Sequence, residues 1–132
     1  MFNKKKYMKE YRQSLKYKNY IKQHRKTKQY KEWEKDYRRH RKQEIINHYG
    51  GQCDCCGEKH IEFLCIDHIY GGGNKHRREL KISSGEKFYR WIVKNNYPDG
   101  FRVLCLHCNF SLGAYGYCPH QEEKKNGKSR IR

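Results

Sequence analysis

Four cysteines form two pairs, Cys53-x2-Cys56 and Cys105-x2-Cys108, that bracket an Asp67-His68 dipeptide, and Asn109 follows the last cysteine directly. Two residues between cysteines let a tight turn present both sulfurs to one ion, and a second such turn completes the tetrahedron that zinc prefers. Four sulfurs leave no open coordination position, so the expected ion is a structural Zn2+. In a short unit its apparent binding energy of roughly 10–16 kcal/mol acts as folding energy. The oxygens of Asp67 and Asn109 suit a hard divalent cation such as Mg2+, and a neutral imidazole at position 68 suits general-base chemistry near neutral pH.

Seven cysteines compete for four positions. Gly57 follows Cys56, as a turn that folds backbone amides toward sulfur requires, and Cys55 is expected to point away from its neighbours. Cys65 lies in the apolar run Phe63-Leu64-Cys65-Ile66, where a free cysteine packs as a small hydrophobe. Cys118, in Cys118-Pro119-His120, could ligate a metal or close the domain, and closure is the expectation. A disulfide framework is the competing account. The odd cysteine count and the lack of an apolar signal segment favour a reducing, intracellular and cytoplasmic setting.

The groups with this chemistry belong to a strongly basic chain: 31 Lys and Arg against 14 Asp and Glu leave +17 on 132 residues. Residues 1–48 hold 17 basic and 5 acidic groups, so most of the excess is in an N-terminal arm. Such a surplus attracts polyanions and releases counterions from phosphates, which makes DNA the expected partner. A membrane partner is not expected, since no apolar stretch of about 18 residues is present and the arm lacks a Leu and Phe face. Charge and composition set no oligomeric state.

The arm carries a repeat. Tyr17-Lys18, Tyr20, Lys22 and His24-Arg25 recur thirteen residues later as Tyr30-Lys31, Trp33, Lys35 and Tyr37-Arg38. No Gly or Pro precedes Gly50, so one long helix or two is expected over residues 4–48. A thirteen-residue step is about 3.6 helical turns, so successive copies should face different ways and form no continuous apolar stripe. The cations Lys18, Lys22, Arg25, Lys31, Lys35 and Arg38 are expected to meet phosphates, with the aromatic rings packing on sugars or bases.

Further along, Ile61–Asp67 is expected as a strand that ends at Asp67-His68. Gly71-Gly72-Gly73-Asn74 then forms a flexible loop before the basic His76-Arg77-Arg78. A helix begins at Ser84 and carries Phe88, Trp91, Ile92 and Asn95, and Pro98-Asp99-Gly100 ends it. Residues 101–104 return as a strand, and the second Cys turn opens a short helix through Asn109 and Leu112. His48, His60 and His107 are expected to be solvated or packing residues, and residues 121–132 a disordered basic tail.

The order Cys-x2-Cys, apolar strand, Asp-His, loop, Val-Leu-Cys-x2-Cys-Asn resembles the zinc-containing HNH endonucleases, the ββα-metal or His-Me finger nucleases, and among them the phage recombination endonuclease VII type. The resemblance spans residues 50 to 120. It implies an α+β class: a small zinc-stapled ββα-metal domain over 49–120, here preceded by the long basic helical arm of 1–48. It further implies that His68 activates water, that Asp67 and Asn109 hold the catalytic Mg2+ or a similar ion, and that cleavage leaves a 5′-phosphate and a 3′-hydroxyl. A phage or mobile-element association also follows from it. This chain departs from the family name in ending on Asn109 rather than His. Its middle polar residue is open between Asn74 and His76, and His76 with Arg77 and Arg78 is a candidate phosphate grip. Two function classes remain: a metal-dependent endonuclease acting on double-stranded or branched DNA, and a zinc module that binds nucleic acid without cutting it.

Overall fold

The computed structural model describes residues 3–125. The chain is α+β and divides into two units, residues 1–39 and 40–132.

In the first unit the expected one or two helices are interrupted twice. Helix α1 runs Lys4–Gln13, α2 Leu15–His24, and α3 Lys28–His48 continues into the second unit. Both interruptions are hydroxyl caps. Ser14 is extended (φ −63°, ψ 147°); its Oγ donates to Tyr11 O at 2.7 Å and accepts from Tyr17 N at 3.2 Å. Thr27 Oγ1 likewise donates to His24 O at 2.7 Å and accepts from Tyr30 N at 3.2 Å. Short hydroxyl side chains compete for backbone groups in this way, and here they outweigh the propensity of the surrounding Lys and Gln. The breaks also reset the helical phase. Tyr20, His24, Tyr30, Trp33 and Tyr37 therefore form a run of neighbouring rings, with Trp33 and Tyr37 stacked at 5.2 Å and 8°. Neither α1 nor α2 buries a residue.

In the second unit the last turns of α3 supply Ile45 and Ile46, both fully buried. A basic segment that looks uniformly solvated thus ends inside the core. The first Cys turn follows, then a 3-10 turn Ile61–Phe63 and strand β1, Leu64–His68, which is shorter than the expected strand. The expected loop over residues 71–74 holds only for its first half: α4, Gly73–Glu79, takes in Gly73 and Asn74 and starts behind Gly72, whose φ of +78° lies in the left-handed region. Nothing in Asn-Lys-His-Arg-Arg-Glu breaks a helix once that turn is made. Helix α5, Gly85–Lys94, has the expected cap, Ser84 Oγ accepting from Lys87 N at 3.3 Å, and buries Phe88 and Ile92.

Strand β2, Phe101–Cys105, pairs antiparallel with β1 in the register Leu64↔Cys105 to His68↔Phe101. Helix α6, Leu106–Tyr115, begins directly at the strand end, and α7, Pro119–Lys125, follows a turn at Gly116. Part of the expected tail is therefore helical, and residues 126–132 lie outside the described residues. Among the described residues five of the fifteen buried ones are cysteines, so an apolar core built from so few aliphatic side chains depends on what the sulfurs do.

Candidate metal centre and active site

The first sulfur pair sits in a turn whose amides face it. Cys56 N donates to Cys53 Sγ at 3.5 Å, Gly57 N donates to Cys53 O at 2.8 Å, and Gly57 takes a φ of +79° that favours glycine. The second pair uses the β2–α6 junction, where Cys105 caps α6 and its Sγ accepts from Cys108 N at 3.4 Å. Asp54 N donates to Val103 O at 2.9 Å and holds the first turn against β2. The four sulfurs lie within 4.8 Å of one another, and Cys56 Sγ to Cys105 Sγ is 3.7 Å. A tetrahedral ion with sulfur ligands at about 2.3 Å has an S···S edge of about 3.8 Å. The donor set therefore fits a structural metal ion.

The electrostatics of the sulfurs are uneven. Burial pushes the Cys53 thiol up, but backbone amides at Cys56, Cys105 and Cys55 outweigh it and bring the pKa to about 7. Cys108 is driven upward by burial and by the crowding of Cys105, Cys118, Cys55 and Cys56. All seven cysteines are free thiols, which disagrees with the disulfide account.

One expectation about the remaining cysteines is corrected. Cys55 does not point away; it is 3% exposed and joins Cys108, Cys118 and His120 in a second group of potential ligands. Cys118, expected to close the domain, is brought back by the turn at Gly116, with its sulfur in the same group. His120 was missed as a candidate, although the Cys118-Pro119-His120 spacing carried the signal. Cys65 is partly buried; its Sγ donates to Leu104 O at 3.4 Å, and burial raises its pKa.

The Asp-His end of β1 lies where strand alternation puts its two side chains on opposite faces. Asp67 is opposite Arg102, and its Oδ2 accepts from Arg102 Nε and Nη2, each at 3.0 Å. His68 faces the aromatic side: it stacks on Phe88 at 5.5 Å and meets Phe101 edge-on at 4.8 Å. Its Nε2 is 2.8 Å from His76 Nδ1, so a hydrogen bond joins the two rings. Burial lowers the His68 pKa, His76 and Arg77 lower it further, and Asp67 opposes them. The imidazole is thereby kept in the neutral form that a base requires.

Asn109, on α6, donates from Nδ2 to Cys65 Sγ at 3.5 Å. Cys65 and Asp67 share one face of β1, so Asn109 reaches the same side of the strand as Asp67, two residues away. Among the described residues the groups of clustered metal-binding side chains are the two sulfur-rich ones, and Asp67, His68 and His76 form no third. His76 packs edge-on against Trp91 at 4.9 Å, while Arg77 lies over the Phe88 ring at 5.3 Å; Asn74 and Arg78 are exposed. His48 stacks on Tyr97 at 4.3 Å, His60 pairs with Glu58, and His107 is exposed.

In the arm, Lys18, Lys22 and Arg25 line a hollow of about 450 Å3 together with Arg12, Tyr17 and Ile21. Lys31 and Lys35 are exposed, and Arg38 pairs with Glu34 at 2.8 Å. No helix of the described residues is long and apolar enough to cross a membrane. No family model, curated protein or solved structure matches the chain.

Proposed function

We propose that this chain is a zinc-stapled, metal-dependent endonuclease that hydrolyses DNA phosphodiester bonds. The observation that carries this reading is the local connection around β1 and α6: Asp67-His68 ends one strand, its partner strand runs straight into α6, and Asn109 reaches back to Cys65 on the Asp67 face. His68 acts as general base, held neutral by its surroundings and oriented by His76. Asp67 and Asn109 offer oxygen ligands of the kind Mg2+ takes, and such an ion would stabilise charge on the leaving oxygen. Arg102 holds Asp67 in place through its paired contacts to Oδ2. The thiolate cluster with zinc fixes the β2–α6 junction, and the arm supplies phosphate contacts without sequence information.

A second reading, a zinc-dependent nucleic-acid module without catalysis, is favoured by one observation: the Asp67 carboxylate is already paired with Arg102. A plasmid-nicking assay in Mg2+ separates the two. Nicking by the wild type and none by His68→Ala, with DNA binding retained in both, supports the nuclease. Intact plasmid with both proteins, despite equal binding, supports the module instead.

A further inference from the structure

Two potential ligand groups meet at one sulfur. The ligand atoms of Cys53, Cys56, Cys105 and Cys108 lie within 4.8 Å of one another, and those of Cys55, Cys108, Cys118 and His120 do so as well. Cys108 belongs to both and is fully buried. We propose that these residues hold two zinc ions: Cys53, Cys56, Cys105 and Cys108 around the first, and Cys55, Cys118, His120 and Cys108 around the second, with the Cys108 thiolate bridging them. This proposal stands whether or not the chain cuts DNA.

The count of donors is the first argument. Two tetrahedra that share one corner have seven corners, and seven donors are present. The second group is also spaced for a metal. His120 Nδ1 is 3.3 Å from Cys108 Sγ and 3.5 Å from Cys118 Sγ. For an ion with nitrogen at about 2.0–2.1 Å and sulfur at about 2.3 Å, the tetrahedral N···S edge is about 3.5 Å.

Ordinary packing explains this arrangement less well. Cys55, Cys108 and Cys118 are each at most 3% exposed and belong to the core, yet their sulfurs also converge, with those of Cys108 and Cys118 at 3.3 and 3.5 Å from the His120 Nδ1 nitrogen. Thiols are weak hydrogen-bond donors and give little reason to converge on one ring nitrogen. Soft sulfur with one imidazole is, by contrast, a zinc donor set of the Cys3His kind. The backbone serves the second group as directly as the first. A left-handed residue at Gly116, φ +77°, ends α6 and turns the chain, Pro119 starts α7, and the ligand atoms of Cys118 and His120 lie within 4.8 Å of the Cys55 sulfur in the first Cys turn.

The test is metal counting on the full chain, purified under reducing conditions without excess zinc. Native mass spectrometry is expected to give two zinc ions per chain. X-ray absorption at the zinc edge is expected to show a mostly sulfur shell with a minor imidazole contribution and a zinc–zinc vector. In Cys118→Ser/His120→Ala the content should fall from two to one, and the imidazole contribution should disappear. One zinc per wild-type chain, or a Cys55–Cys118 disulfide in the native protein, overturns the proposal. If the double variant does not fold, Co2+ titration of the zinc-free wild type decides: a thiolate charge-transfer band that grows through two equivalents supports the bridged pair, and saturation at one overturns it.

Discussion

Gly73 and His68 meet so closely that a single methyl group tests their contact: a Cβ at position 73 would lie 2.9 Å from His68 Nδ1. Alanine there gains helix propensity of up to about 1 kcal/mol in α4 but must displace a ring packed between Phe88, Phe101 and His76. Displacing packed groups costs about 1–3 kcal/mol, so Gly73→Ala is expected to be destabilising in urea unfolding. It should also reduce nicking more than it reduces DNA binding if His68 is the base. At this scale the sequence offers residue types more readily than contacts. Asp67, His68 and Asn109 stand out by type and position, whereas the Arg102 partner of Asp67 depends on a strand register joining residues 35 apart. Cys55 was misjudged for a similar reason: turn spacing describes where 53 and 56 point, and the partners of 55 arrive from far along the chain.

Helix α5 was legible because each of its signals is local: a serine cap, apolar residues at helical spacing and a Pro-Asp-Gly stop. Its anchor is Phe88, 1% exposed and surrounded by His68, Trp91 and Phe101. Phe88→Ala is expected to cost about 3–5 kcal/mol, and Ser84→Ala about 1 kcal/mol, both measurable by denaturant midpoints. Helix α4 was not legible, since three glycines in a row look like a loop until His68 gives the last of them a reason to be small. The arm shows the opposite failure. Propensity favours one continuous helix, and two hydroxyl caps cut it. Replacing Ser14 and Thr27 by alanine should therefore raise helicity in far-UV circular dichroism, because the competing side-chain hydrogen bonds are gone.

For the molecule as a whole, charge and metal are separable properties. Neutralising Lys18, Lys22 and Arg25 to Gln is expected to flatten the salt dependence of DNA binding, with a log-log slope loss of up to about 0.9 per phosphate contact removed. An unchanged slope would take the hollow they line out of the interface. Chelation should act on the second unit: near-UV signals from its aromatic cluster should vanish while much of the α1 and α2 helicity remains, because those two helices bury nothing. The charge bias of the arm was plain in the sequence, but the core's claim on Ile45 and Ile46 was not, as two apolar residues at the end of a basic helix carry little pattern. The antiparallel pair has a further consequence. Its strands are joined through residues 69–100, a segment that itself folds into α4 and α5, so these two strands are not a local hairpin. Closing such a gap carries an entropic cost before any contact repays it, and proteins of high contact order fold slowly. A newly made chain thus has to wait for distant partners, and during that wait its reduced sulfurs stand open to oxidation.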